Sequence, residues 1–166
     1  MDSQKPHDSQ IQLIRKSPFV METDDDDTSW YFEVDDARSG KTVSACIDAR
    51  ALLESLGEPC GEAPLLTCGC GVAECARIYD ERFECGDDYV HWSLTFEGRP
   101  YSFFFDKDAY ETGALRMLSE VYRTKAGWEF CFGCFFSYEQ FKSAIDSFLA
   151  VKPSFRKLWD SLNADS

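Results

Sequence analysis

Residues 77–105 read RIYDERFECGDDYVHWSLTFEGRPYSFFF, and this stretch decides the fold. Segments 77–84, 89–96 and 101–105 are rich in aromatic and β-branched residues, which favour extended strands. The connections between them are short and contain glycine. Strands joined by such short connections run antiparallel, so the stretch predicts a three-stranded meander.

A β-hairpin is predicted ahead of the meander. Residues 29–35, SWYFEVD, alternate apolar and polar side chains with the period of two that is typical of a half-buried strand. Residues 42–47 alternate in the same way, and DARSG at 36–40 is a turn sequence between them. A short first strand is also predicted from four apolar residues nearer the N-terminus: Ile11, Leu13, Phe19 and Val20.

Capping residues in the sequence predict where the helices begin. Four helices are predicted: 49–56 after the capping residue Asp48, 107–122 after Asp106, 137–150 with a Ser137–Gln140 capping box, and a short one after Pro153. Gly57 stands where a left-handed residue is expected after the first helix. Residues 57–64, GEPCGEAP, have the composition of a loop.

Strands gathered before helices, without βαβ alternation, predict an α+β fold with a mostly antiparallel sheet. The sheet is expected to combine the hairpin and the three-stranded meander, packed by about four helices. Residues 1–9 are expected to be a flexible polar tail, and residues 10–166 a single α+β domain.

The charge of the chain is large and uneven. Its 30 acidic and 17 basic residues give a formal net charge of −13. Residues 1–36 contribute −7 and residues 61–100 contribute −5, whereas residues 101–166 are nearly neutral. Without a basic patch, such a polyanion is not expected to bind nucleic acid or anionic membranes. Clustered acids favour a face that steers a basic partner, although the run at 24–27 is equally typical of a solvated loop.

The chemical state expected for the cysteines depends on the cellular compartment. The sequence shows neither a signal peptide nor an apolar stretch long enough to span a membrane, so we expect a reducing cytoplasm. There the 8 cysteines are better interpreted as buried thiols, metal ligands or redox groups than as disulfides. Thiolates that converge on one point suit structural zinc, and the candidates are Cys60, Cys68, Cys70 and Cys75. The favoured alternative is a glycine-rich turn whose cysteines pack beneath the sheet, with no cofactor.

A second cysteine pattern is the C-x-x-C of Cys131 and Cys134. It falls within residues 128–136, WEFCFGCFF, an aromatic run that predicts a buried strand. Alternation along a strand places these two cysteines on opposite faces, and no helix start is present to lower a thiol pKa. A redox role is therefore not favoured.

Residues 65–75, LLTCGCGVAEC, followed by the strand with His91 and Trp92, are similar to a family of small uncharacterised bacterial proteins. In that family an L-x-C-x-C-G-x-x-x-C stretch leads into a β-meander. The resemblance covers roughly residues 29–122. It implies the same fold and assigns no catalytic residue.

A catalytic site has little support in the sequence. The chain has two histidines, His7 and His91. A Cys–His pair would need His91, with Cys70, Cys75 or Cys85 as the nucleophile. No nucleophile-elbow, phosphate-loop or dinucleotide motif occurs, so an enzyme is the less favoured class.

Charge, size, compartment and the lack of catalytic motifs favour an acidic protein-binding module. Its most economical form is a bacterial immunity (antitoxin) protein that blocks a basic toxin, because electrostatic steering makes capture fast. The predicted contacts are acidic residues and two aromatic residues expected to be exposed: Asp24, Asp25, Asp26, Asp27, Trp30, Glu33, Asp35, Asp36, Glu84, Asp87, Asp88 and Tyr89. The alternatives are a small zinc- or thiol-dependent protein that uses the four-cysteine cluster, and an enzyme with an unrecognised site.

Overall fold

The computed structural model describes residues 13–24, 27–67, 78–126 and 137–164. Its strands are β1 (Phe19–Asp24), β2 (Asp27–Asp35), β3 (Thr42–Ile47), β4 (Cys60–Glu62), β5 (Leu66–Thr67), β6 (Ile78–Cys85), β7 (Tyr89–Phe96) and β8 (Arg99–Asp106). Its helices are α1 (Ala49–Ser55), α2 (Lys107–Thr124), α3 (Tyr138–Val151) and α4 (Pro153–Leu162). The predicted α+β class with antiparallel pairing is confirmed.

The first sheet has the order β1-β2-β3-β5, and its neighbouring strands run antiparallel. The predicted hairpin of β2 and β3 is confirmed, and pairing of Asp35 with Thr42 makes the connection 36–41 rather than 36–40. The predicted first strand is right only in part. β1 begins at Phe19, Leu13 lies outside any strand, and residue 11 falls outside the described residues.

The second sheet has the order β4-β6-β7-β8 and contains the predicted meander. The loop predicted at 57–64 is wrong in its middle, where β4 pairs with β6 through Cys60 opposite Glu84 and Glu62 opposite Arg82. A three-residue strand is too short to show alternation, and the neighbouring strand rather than local preference holds it extended. The strand predicted at 128–136 lies outside the described residues.

Residues 14–18 join the two sheets. Ile14 forms a parallel bridge with Phe105 of β8. Four residues later, the carbonyl of Pro18 accepts a hydrogen bond of 2.9 Å from the N–H of Glu33 in β2. One short segment therefore hydrogen-bonds to both sheets.

The inner faces of the two sheets share one core. The rings of Phe32 in β2 and Phe105 in β8 meet edge to face with centroids 6.0 Å apart. The buried carboxylate of Glu81 in β6 accepts the N–H of Leu66 in β5 at 2.8 Å, so a hydrogen bond also crosses between the sheets. The single domain at 10–166 stays a prediction.

The capping residues predicted the helix starts correctly. Asp48 and Asp106 accept hydrogen bonds from first-turn N–H groups of α1 and α2, and Ser137 with Gln140 forms the capping box of α3. These side chains satisfy N–H donors that have no partner within the helix. A helix start can therefore be predicted from the few residues around it. Gly57 follows α1 with a φ of +85°, as expected.

Helix α2 packs against both sheets. A Cβ at Gly113 would lie 2.1 Å from the Oγ of Ser17, so this glycine allows the joining segment to cross α2 closely. One turn earlier, the Tyr110 ring lies 5.2 Å from that of Phe19, and the Tyr110 hydroxyl accepts from Trp92 Nε1 at 2.9 Å. In the described ranges, no helix combines the length and the apolar character needed to cross a bilayer.

Candidate functional site

The outer face of the first sheet is formed by every second residue of its strands. In β2 the buried residues Phe32 and Val34 alternate with exposed Glu33 and Asp35. In β1, exposed Glu22 accepts a hydrogen bond from the outward-facing Tyr31 hydroxyl at 3.3 Å. We call this set the acidic face: Glu22, Tyr31, Glu33 and Asp35.

Within the described part of the chain, the carboxylates of the acidic face have no ion-pair partner. Strands β1, β2, β3 and β5 contain five acidic residues and neither Lys nor Arg. Among the described residues, no basic nitrogen lies within 4.0 Å of the carboxylates of Glu22, Glu33 or Asp35. Elsewhere, acids do pair, as Glu58 does with Lys152 at 3.1 Å. The negative charge of the acidic face is therefore not neutralised by any ion pair among the described residues.

A small cleft borders the acidic face at the junction of the sheets. Ile14, Lys16, Ser17, Glu33 and Asp35 are among the residues that line it, and its volume is about 130 Å³. Lys16 lines this cleft without coming within ion-pair distance of either acid, so it moderates the local potential but leaves both carboxylates unpaired.

Two residues of the predicted acidic run at 24–27 belong to described strands: Asp24 ends β1, and Asp27 begins β2. Asp24 of β1 and Asp27 of β2 are opposite each other in register. Their side chains, and residues 25 and 26 altogether, lie outside what the structure describes. Their part in binding therefore stays a prediction.

Trp30 is not the exposed aromatic contact that we predicted. Its side chain is 7% exposed and belongs to the core, because it shares the inward-facing positions of β2. Its buried Nε1 finds no hydrogen-bond partner among the residues that the structure describes.

Asp36 has a structural partner, unlike Glu33. Its carboxylate accepts hydrogen bonds from the hydroxyl of Ser39 at 2.7 Å and from the Ser39 N–H at 3.2 Å, which closes the β2–β3 turn. Asp35 accepts from the Thr42 hydroxyl at 2.7 Å and remains exposed on the acidic face. Asp36 therefore belongs to the turn, and Asp35 to the candidate surface.

The outer face of the second sheet is built differently. The ring of His91 in β7 stacks on Phe104 of β8 at 4.0 Å, and its Nε2 lies 2.7 Å from the Oγ of Ser102. The hydroxyl of Tyr89 donates to Glu84 at 3.4 Å. We call these five residues the histidine face. Its polar groups find their partners within the sheet.

Burial controls the ionisation of the histidine face. Desolvation lowers the pKa of His91, and the nearby charge of Glu84 opposes this in part. Desolvation also raises the pKa of Tyr89, and the charge of Glu84 and its hydrogen bond raise it further. At neutral pH His91 is therefore neutral and Tyr89 keeps its proton.

Tyr89, the second predicted aromatic contact, is also not exposed. Its side chain is 6% exposed, and its ring packs so closely on Gly86 that a Cβ there would lie 2.1 Å from it. Asp87 and Asp88 are exposed in the connection beside it, and their charges contribute to the raised pKa of Tyr89. The structure therefore divides the predicted contacts between two sheets rather than gathering them in one site.

Sequence reasoning missed Glu22 and Tyr31 on the acidic face. Tyr31 alternates with the apolar residues of β2, and Glu22 lies two positions before the acidic run, on the same side of β1 as Val20. Extending the period of two backwards through the hairpin would have identified both.

The zinc prediction is open. Cys60 is exposed in β4, opposite Glu84, whereas Cys68, Cys70 and Cys75 lie outside the described residues. In the part of the chain that the structure describes, no three metal-binding side chains converge.

One Cys–His pair can be excluded. Cys85 lies opposite Val90 on the inner face of its sheet, whereas His91 is on the outer face. Burial, followed by the charge of Glu111, raises the pKa of Cys85, so this thiol is protonated at neutral pH and is a poor nucleophile. Pairs with residues 70 and 75, and the C-x-x-C at 131 and 134, fall outside the described residues.

No protein family, curated protein or solved structure matches this chain. The resemblance based on the L-x-C-x-C-G-x-x-x-C stretch therefore stays a prediction.

Proposed function

We propose that the chain is an acidic protein-binding module, and specifically an immunity (antitoxin) protein that blocks a basic bacterial toxin. The observation that carries the proposal is the acidic face, where exposed Glu22, Glu33 and Asp35 have no basic neighbour within ion-pair distance among the described residues. A basic partner would supply the missing counter-charges.

Electrostatics gives such a surface a kinetic advantage. Unpaired charges of one sign attract an oppositely charged partner over about 10 Å at 0.1 M salt, which raises the association rate before any contact forms. A toxin that attacks nucleic acid needs a basic cleft, and a compact acidic protein of this size can fill one. Such a complex forms quickly at low salt and more slowly as salt increases.

The test is co-expression with the protein encoded immediately upstream. If that neighbour is a toxin, the chain is expected to co-purify with it and to relieve its toxicity. Failure of both would contradict the immunity function. Binding without relief of toxicity would leave a binding module but remove the antitoxin role.

Matched variants locate the contact. Replacing Glu22, Glu33 and Asp35 by Gln, Gln and Asn should lower the association rate at least tenfold at low salt and flatten its salt dependence. The control makes the same charge change at exposed sites away from the first sheet, with Gln at Glu54, Glu97 and Glu139. Equal effects of the two triple variants would mean that net charge, rather than the acidic face, attracts the partner.

A further inference from the structure

Strand β1 is one of the two edges of the first sheet in the part of the chain that the structure describes. Its pairing with β2 fixes which backbone groups face the open side. The carbonyl of Pro18 bonds to β2, and in an antiparallel pair every second residue after it does so as well. The N–H and C=O groups of Met21 and Thr23 therefore point away from the sheet.

This edge is open to a further strand. Among the described residues, no hydrogen bond reaches the outward backbone groups of Met21 or Thr23. The side chain of Met21 is 50% exposed, although most large apolar side chains of the described residues are buried. An extended segment placed beside β1 would satisfy these backbone groups and cover Met21.

The charge on β1 selects among possible occupants. Proteins commonly protect edge strands with charged residues, because like charges oppose pairing between identical copies. Here the edge strand carries Glu22, and the next strand carries Glu33 and Asp35 on the same face, with no base in either strand. A second copy would bring acid against acid, whereas a basic segment would bring base against acid.

We propose that the partner protein adds an extended segment to β1 as a new edge strand, with basic side chains at every second position and apolar side chains between them. The basic positions lie beside Val20 and Glu22 on the acidic face, and the apolar positions lie beside Met21 on the other face. This inference rests on the proposed function and adds the binding mode and the pattern of the partner's segment.

Thr23 and Thr28 provide a matched pair of test positions. They are opposite each other in the hairpin, and the N–H of Thr23 faces the open side of β1. The N–H of Thr28 points to the opposite side of β2, where β3 lies. Thr28 precedes residues 31–35, the stretch of β2 that pairs with β3. A proline at either position removes an N–H that the hairpin does not use, so both variants are expected to fold.

The probe is a capped peptide of four Lys-Val repeats, and the comparison peptides replace Lys by Glu or place the same residues in two blocks, KKKKVVVV. Binding is measured by calorimetry at low salt, and contacts by the amide signals and hydrogen exchange of the ¹⁵N-labelled full chain. We expect the alternating Lys-Val peptide to bind and to slow amide exchange at Met21 and Thr23. Thr23→Pro should weaken binding about tenfold, whereas Thr28→Pro should change it less than twofold.

Each outcome decides between the binding mode and the function. Equal binding by the two proline variants, or slowed exchange confined to other strands, would overturn strand addition. If binding were then lost on neutralising the acidic face, the proposed function would stand without this mode. Binding of the Glu-Val peptide, or a dimer of the chain itself that Thr23→Pro abolishes, would identify a different occupant of the edge. No binding of the Lys-Val peptide by a chain that still captures its toxin would also overturn strand addition.

Discussion

The outer faces of the two sheets differ in how their side chains are held, although each face contains one Tyr–Glu hydrogen bond. On the acidic face, Glu33 has no ion-pair partner among the described residues and points into solvent. On the histidine face, Glu84 accepts from Tyr89, while His91 is held between Phe104 and Ser102. A carboxylate on a strand can thus be part of the fold or available to a partner. Its neighbours decide which, and net charge does not.

The largest expected effect is on the histidine face. Gly86→Ala places a methyl group within 2.1 Å of the Tyr89 ring, and overpacking of this kind should lower the free energy of unfolding by about 2 kcal/mol in urea denaturation. In a Tyr89→Leu background the clash is relieved and the same substitution should cost less than half as much. An equal cost in both backgrounds would show that the ring does not rest on Gly86.

The second prediction uses pH. Because burial lowers the pKa of His91 below its ordinary 6.5, the unfolded state takes up the proton more readily. The contribution of neutral His91 to stability is therefore complete above pH 6.5 and decreases as the pH falls below that value. Urea denaturation between pH 7.5 and pH 5 should show a smaller loss of stability in His91→Gln than in the wild type. Parallel curves would contradict a buried, neutral His91.

The third prediction makes the same substitution on both faces. Glu33→Gln should change the free energy of unfolding by less than about 0.5 kcal/mol, because no described ion pair is lost. Glu84→Gln weakens the acceptor of the Tyr89 hydroxyl and should cost about 0.5–1 kcal/mol, measured in the same way. If Glu33→Gln were the more damaging change, the acidic face would be a structural element and not a free surface.

The smallest expected effect concerns metal. Protein purified without chelator should contain close to no zinc, because the favoured interpretation of the cysteines is packing. About one zinc per chain would establish a structural site. Because Cys60 lies beside Glu84, the histidine face would then differ from the acidic face in bordering a metal site as well. Elemental analysis decides between the two, and Cys60→Ser should leave the metal content unchanged if it is already zero.

Local signals in the sequence predicted much of this fold. The caps at Asp48, Asp106 and Ser137 fix helix starts because a single side chain satisfies the first-turn donors. The alternation in β2 and β3 was equally informative, since one face of each strand is buried. Features that depend on contacts between residues distant in the sequence could not be predicted. The three residues of β4 and the bridge at Ile14 exist only because a distant strand lies beside them.

The sequence predicted that the candidate surface is acidic, but it did not predict correctly which residues form it. Period-two alternation already placed Trp30 with Phe32 and Val34 on the core side, so expecting it to be exposed disregarded the strand pattern. Tyr89 was different, because it faces outward and is covered through its packing on Gly86 and against the ring of Phe104. Such packing depends on the shape of the turn, which residue types alone do not specify.

The bridge between Ile14 and Phe105 has a consequence for the order of folding during synthesis. The two residues are far apart in the chain, so this contact closes a long loop and should form late. On the ribosome, the β1–β2 hairpin emerges well before β8, and until then the second sheet against which it packs is incomplete. Its acidic side chains, which repel other nascent copies, would protect the open edge during that interval.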